Sequence, residues 1–144
     1  MNSTKVISAS MTDKDFLKLA VEEGKKGTPP YLFGAVVVKD NEVLSKDHSR
    51  AVEKSDPSAH AEISAIREAS KKLGSHNIPG CTLYTSHEPC MMCFSCAVWA
   101  EIDRIVFATS ASEQDNSMYD FKDVNIFEMA EKLTRPMKIE HIKL

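Results

Sequence analysis

One imidazole and two thiols stand in this chain at a spacing that suits a shared metal ion. His60 lies in Asp56-Pro57-Ser58-Ala59-His60-Ala61-Glu62, and Cys90 and Cys93 lie in Glu88-Pro89-Cys90-Met91-Met92-Cys93. Ligands of these types suit tetrahedral zinc, and three of them leave its fourth position for water, as in a catalytic site. Glu62, two residues beyond the histidine, can move protons beside such a centre. A Cys-x-x-Cys pair also has plainer uses, as a redox couple or in a structural zinc site. A structural site needs a fourth ligand, for which Cys81, His87 and Cys96 are the candidates. Cys96 falls about 120° around the helix from Cys90 and is a poor one. His87 directly precedes Glu88-Pro89-Cys90 and could reach the metal or a substrate.

The elements that must hold these residues follow from punctuation and periodicity. Thr12 and Asp15 resemble a capping box, followed at helical spacing by Phe16, Leu19, Ala20 and Glu23. Gly24 and Gly27 stop that helix, and Thr28-Pro29-Pro30 is a loop. Leu32 to Lys39, with its Val36-Val37-Val38 run, reads as a buried strand, and Asp40-Asn41 as a tight turn into a second strand from Glu42 to Lys46. His48 to Lys54 reads as irregular. Asp56 is the expected N-cap of the next helix, with Pro57 at its first position. That helix is expected to run to Leu73, bury Ala61, Ala65, Ile66, Ala69 and Leu73, and end at Gly74.

Cys81 to Ser86 is the next strand, Pro89 to Ala100 a helix, Arg104 to Thr109 a strand, and Ser110 to Asp120 a polar loop. Val124 to Leu133 is helical by pattern, and Met137 to Ile142 a closing strand. The order αββαβαβαβ predicts one α/β domain over residues 1–144, a three-layer α/β/α sandwich on a central mixed five-stranded sheet, with 1–10 a loose tail. Cys90 and Cys93 then fall in a helix's first turn, where the dipole and free N–H groups favour thiolates. Residues two apart on a helix diverge by about 200°, so His60 and Glu62 share a site only if the metal sits at the helix end.

Composition narrows the function classes. The 144 residues are 42% hydrophobic and 27% charged, which is ordinary for a soluble domain. No apolar run approaches the roughly 20 residues that span a bilayer. Met1 to Ser10 has no apolar leader core, and four cysteines, two of them in Cys-x-x-Cys, suit a reducing compartment. A cytoplasmic location is the expectation. The net charge of −3 argues against a partner that offers a nucleic-acid backbone.

His-x-Glu followed by Pro-Cys-x-x-Cys is the signature of the zinc nucleobase deaminases. From Leu32 to about Leu133 the chain resembles the cytidine deaminase-like superfamily. It is most similar to the purine-type branch, that of bacterial guanine deaminases and tRNA adenosine deaminases. The similarity runs through Phe33-Gly34-Ala35-Val36-Val37-Val38, the His60 and Cys90 segments, Ala65-Ile66-Arg67 and Leu83-Tyr84-Thr85-Ser86. The thirty residues from His60 to Cys90 are also that branch's habit. The resemblance implies Zn2+ on His60, Cys90 and Cys93, with Glu62 as proton shuttle. It also implies substrate contacts from Phe33, the Ala61 backbone and the loop holding Ser49, which stands eleven residues before His60 where these enzymes place an Asn.

Trp99 and the Met118-Tyr119-Asp120-Phe121 segment are similar to the guanine deaminase side of the branch, with Asp120 or Asp123 as its base-reading acid. Trp99 and Asp120 therefore join the candidate substrate contacts, and Glu88, beside the Cys90 ligand position, is a further candidate. The plainer reading of Phe33 and Trp99 is core packing, that of Glu62 a solvated helix residue, and that of Glu88 a cap on a helix N-terminus. Relatives of this size are usually dimers, so a homodimer is expected. They also continue past the last strand into a helix that helps close the pocket, whereas Leu144 ends this sequence.

The expected function is zinc-dependent hydrolytic deamination of a small nucleobase or related aminated heterocycle within purine metabolism, releasing ammonia, with guanine the first choice. The alternatives are a tRNA adenosine deaminase, a cytosine-type base deaminase and a catalytically silent zinc-binding module.

Overall fold

The computed structural model describes residues 10–115, 120–121 and 123–144. The expected tail and the Met118-Tyr119 part of the acidic segment lie outside the described residues, apart from Ser10. Five strands form one sheet: β1 (Gly34–Lys39), β2 (Glu42–His48), β3 (Cys81–His87), β4 (Arg104–Thr109) and β5 (Lys138–His141). Their order is β2-β1-β3-β4-β5. β1 runs antiparallel to both β2 and β3, while β3, β4 and β5 run parallel. The sheet is thus mixed, as expected.

Alternation along β1 divides the core. Val36 and Val38 face α1 (Asp13–Gly24), which packs Phe16, Leu17 and Ala20 against them and against Tyr84 and Val106. Ala35 and Val37 face the other way, toward α3 (Ala61–Leu73), α4 (Met91–Trp99) and α5 (Ile126–Glu131). A strand covered on both faces has no use for polar alternation, which is why this stretch reads as continuous valine. Gly34 is needed where α1 crosses β1, because a Cβ there would collide with the Ala20 carbonyl. The close approach also sets where Phe33, the preceding residue, leaves the sheet.

Several local signals work as the sequence indicates. Thr12 and Asp15 form the reciprocal capping box that starts α1. Asp40 and Asn41 both adopt positive φ, 51° and 62°, the twist a two-residue hairpin turn requires. Gly74 closes α3 in the left-handed conformation.

Four expectations need correction. Asp56 does not cap α3: its carboxylate accepts from the Ser58 backbone N–H and hydroxyl, and its own carbonyl accepts from Ala59 N–H. Residues 56–59 therefore form a turn, and the N-cap is His60, extended at φ −67° and ψ 159°. Leu73 is 39% exposed and lies outside the buried stripe. His48 belongs to β2, and Ala51–Lys54 form a short helix, α2, so that stretch is not irregular. The Pro89 helix starts later, at Met91, with Cys90 as N-cap.

Candidate active site

Two helix starts meet at the C-terminal end of β3. His60 is the N-cap of α3 and Cys90 the N-cap of α4, both extended, and neither spends its side chain on capping. Each is therefore free to turn toward the other. His60 Nδ1 lies 3.7 Å from Cys90 Sγ and 3.4 Å from Cys93 Sγ, and the three ligand atoms all fall within 4.8 Å of one another. Tetrahedral zinc with ordinary Zn–N and Zn–S lengths holds such atoms about 3.6 Å apart. The donor set and its spacing fit the ion.

None of the fourth-ligand candidates joins the cluster. Cys81 is buried in β3, and among the described residues the gathered ligands near His60 are Cys90 and Cys93. Because His60 caps the helix instead of sitting inside it, the 200° divergence no longer applies. His60 is still on extended backbone while Glu62 is in the first turn, and both line the same cavity.

Glu62 is 8% exposed. Burial, reinforced by the nearby Cys90 charge, pushes its carboxyl up to about 7. A carboxyl that titrates near neutrality can both accept and return a proton. A hydrogen bond from Cys93 holds Cys90 well below an ordinary thiol, at about 4. The same bond, with burial, pushes Cys93 up. His60 is raised by its hydrogen bond with Cys90.

The cavity in front of these groups has a volume of about 380 Å³, within the range of small-ligand pockets. Phe33, Ser49, Ala61, Glu88 and Asp120, all candidate substrate contacts, border it. Ser49 is buried and its backbone N–H donates to the Phe33 carbonyl, while Arg50 N–H donates to the Ala59 carbonyl. These two bonds bring the β2–α2 connection against the β1 entry and the start of α3. Glu88 lines the cavity while Oε1 accepts the Ala111 N–H at 2.9 Å. It therefore ties down the turn after β4, a role close to its plainer reading.

Trp99 is not brought to the cavity. It closes α4 on the outer side and is 82% exposed, so neither pocket stacking nor core packing describes it. Asp123 does not border the cavity either, which leaves Asp120 as the acid of that segment beside it.

Sequence reasoning assigned no role to Tyr31, Val52 or Gln114, which also line the cavity. Tyr31 and Gln114 come from connections and Val52 from the single-turn α2, where no periodicity marks a side chain's direction. His87 is, from the sequence, a fourth-ligand candidate that could reach the metal or a substrate. It borders the cavity, packs edge-to-face on Phe33 with ring centroids 4.7 Å apart, and shares a 2.8 Å hydrogen bond with Ser86 Oγ through Nδ1. Burial lowers its pKa.

The family model of the cytidine and deoxycytidylate deaminase zinc-binding region matches residues 10–109, and the chain belongs to that family. Over 97 residues it is 42% identical to the tRNA-specific adenosine deaminase of Aquifex aeolicus, covering 65% of this chain and 63% of that protein. The chain thus spans less than two thirds of that relative. It is 37% identical over 125 residues to the guanine deaminase of Bacillus subtilis, covering 85% of this chain and 79% of the relative.

Solved structures tell the same story. The Bacillus subtilis guanine deaminase superposes with a TM-score of 0.69 at 34% identity, over 88% of this chain and 84% of the other. A chain solved in work on tRNA:A34 deaminases that edit A to I at the wobble position gives 0.73 at 28% identity, over 89% and 92%.

Proposed function

We propose that this chain is a zinc-dependent aminohydrolase that replaces the exocyclic amine of a free nucleobase with oxygen from water, releasing ammonia, with guanine as the first substrate. The observation that carries the reading is Glu62, a buried carboxyl pushed to about 7 on the wall of a base-sized cavity, beside a complete set of three zinc ligands. When bound by His60, Cys90 and Cys93, zinc supplies a water acidified toward neutrality. Glu62 would carry one proton of the attacking water to the ring nitrogen and then the second, from the hydroxyl left on the ring carbon, to the departing amine, so that the carbonyl forms as ammonia leaves. Phe33 offers an aromatic wall to the base, and the first turn of α3 at Ala61 lines the reacting end. Ser49, Glu88 and Asp120 bound the remaining sides.

A free base is favoured over RNA by the longer alignment with the guanine deaminase and by the net charge of −3. The higher identity to the Aquifex aeolicus enzyme favours the second reading, deamination of adenosine in tRNA. A cavity that admits one base suits both, since a nucleotide extruded from RNA enters as a single base. A cytosine-type substrate is a further arm of the same test. The three-ligand set beside Glu62 argues against a silent zinc module, which would show four protein ligands.

The deciding experiment is ammonia release by the zinc-loaded protein on guanine, adenine, cytosine and a tRNA anticodon stem-loop, with Glu62→Ala as control. Release from guanine, abolished in the control, supports the reading. Release only from the stem-loop replaces it with RNA editing, and silence on all four overturns it. Four free cysteines suit a reducing, cytoplasmic setting. We also propose a homodimer, supported by the exposed Trp99 on α4; a sedimentation mass of one chain would count against it.

A further inference from the structure

We infer that His87 sets substrate specificity, its neutral imidazole donating from Nε2–H to a ring carbonyl oxygen on the edge of the base remote from the departing amine. The inference rests on reading the cavity as a base pocket. Its basis is the tautomer. Ser86 Oγ accepts the Gly34 backbone N–H at 3.0 Å and lies 2.8 Å from His87 Nδ1. A serine hydroxyl has one proton to give. The Gly34 amide fills one acceptor site of the buried oxygen, and among the described hydrogen bonds Nδ1 is the one partner left that can take the hydroxyl proton, so pairing every proton of this chain sends it to Nδ1. An Nδ1 that accepts requires the ring's own proton on Nε2.

Burial lowers the pKa of the ring, so it stays neutral and keeps one donor. Packing against Phe33 at an interplanar angle of 90° fixes the ring's orientation at the cavity wall. The same glycine that lets α1 approach β1 therefore also sets the polarity of the pocket, through one hydroxyl. Gln114 adds to this polarity. It borders the cavity, and its Nε2 is buried with no hydrogen-bond partner among the described residues. A buried donor left without an acceptor is costly unless a ligand supplies one. The His87 Nε2–H and the unpartnered Gln114 amide, both from residues that border one cavity, favour a base bearing an oxo group over one bearing a second amine or a hydrogen there.

The test compares guanine with 2-aminopurine, which offers the same amine but lacks the ring carbonyl. The zinc-loaded wild-type protein, His87→Leu and His87→Gln are assayed on both. The wild type should favour guanine in kcat/KM by about 10- to 100-fold, the usual cost of leaving a buried donor unpaired. His87→Leu should lose most of that preference through guanine alone, and His87→Gln, which keeps a donor, should recover part of it. Equal losses on both bases, or no loss on guanine, would overturn the assignment while leaving the base reading intact. If the wild type acts on neither base, the base reading falls and the specificity role falls with it. Nitrogen-resolved NMR of the histidine rings supplies the second measurement. It should show His87 protonated at Nε2 near neutral pH in the wild type, with that preference weakened by Ser86→Ala; a ring protonated at Nδ1 overturns the assignment whatever the kinetics.

Discussion

Two histidine-centred clusters in this fold look alike by distance and differ in chemistry. His60, Cys90 and Cys93 bring their ligand atoms within 4.8 Å, and so do Glu23, Asp47 and His48. In the second cluster every acid already has a cation. Glu23 binds His48 Nδ1 at 2.8 Å through Oε2 and Lys26 at 3.1 Å through Oε1, and Asp47 holds Arg50 Nε at 2.8 Å. Charge balance makes it an internal ion-pair network that anchors β2 to the end of α1. No lysine or arginine appears among the described hydrogen-bond partners of His60, Cys90 and Cys93, so their thiolate charge remains for a metal. Proximity of ligand-capable atoms is therefore a weak guide; the presence of neutralising partners separates the two.

The comparison can be broken in stages. Cys90→Ala should have the largest effect, with zinc measured by elemental analysis falling from about one per chain toward none and deamination lost with it. Glu62→Gln should leave zinc in place and lower kcat by about 10²- to 10⁴-fold, the usual range for a positioned acid–base group. His48→Leu should leave zinc content and substrate preference unchanged but cost about 1–3 kcal/mol in denaturant unfolding, because the buried Glu23 loses a hydrogen-bond donor. A loss of zinc on His48→Leu would mean that the two clusters are not independent.

The smallest effect is one of pH. Burial opposes ionisation of Glu23, but the hydrogen bonds from His48 and Lys26 prevail and its pKa is lowered. Asp13 is lowered chiefly by its hydrogen bonds from Arg104, which also holds Glu140. A carboxyl whose pKa is lower in the folded state stabilises the fold fully above its unfolded value, about 4, and loses that contribution as pH falls through the folded value. The difference in thermal midpoint between the wild type and Arg104→Met, which isolates the Asp13 and Glu140 contribution, should therefore stay flat from pH 7 to about 5 and narrow below about 4.

Much of the fold was legible because local chemistry and tertiary need agreed. Thr12-Asp15, Asp40-Asn41 and Gly74 each carry a signal that admits one conformation, and the valine run of β1 is buried on both faces. Asp56-Pro57 misled because an Asp before Pro starts turns as readily as helices, and its carboxylate found Ser58. Trp99 misled because an aromatic near a helix end carries no mark of whether it faces inward. The gathering of His60, Cys90 and Cys93 was legible from residue types and spacing, whereas the place of Glu62 beside them came from the deaminase signature and not from helix periodicity. The direction of His87 was not legible, since it depends on its neighbour Ser86 and, through Ser86, on Gly34 of β1, which lies far away in sequence.

The position of both His60 and Cys90 at helix N-caps has a consequence for how the chain folds. An ion that joins them closes a loop of thirty residues containing all of α3 and β3. Any residual ligation in the unfolded chain would act as a reversible cross-link, lowering the entropy of that state much as a covalent bridge does. The ion then does more than supply chemistry: by pairing the origins of two helices before either is packed, it would shorten the search that brings β3 beside β1. Refolding followed with and without zinc should show this as a faster phase confined to the α3–β3 unit.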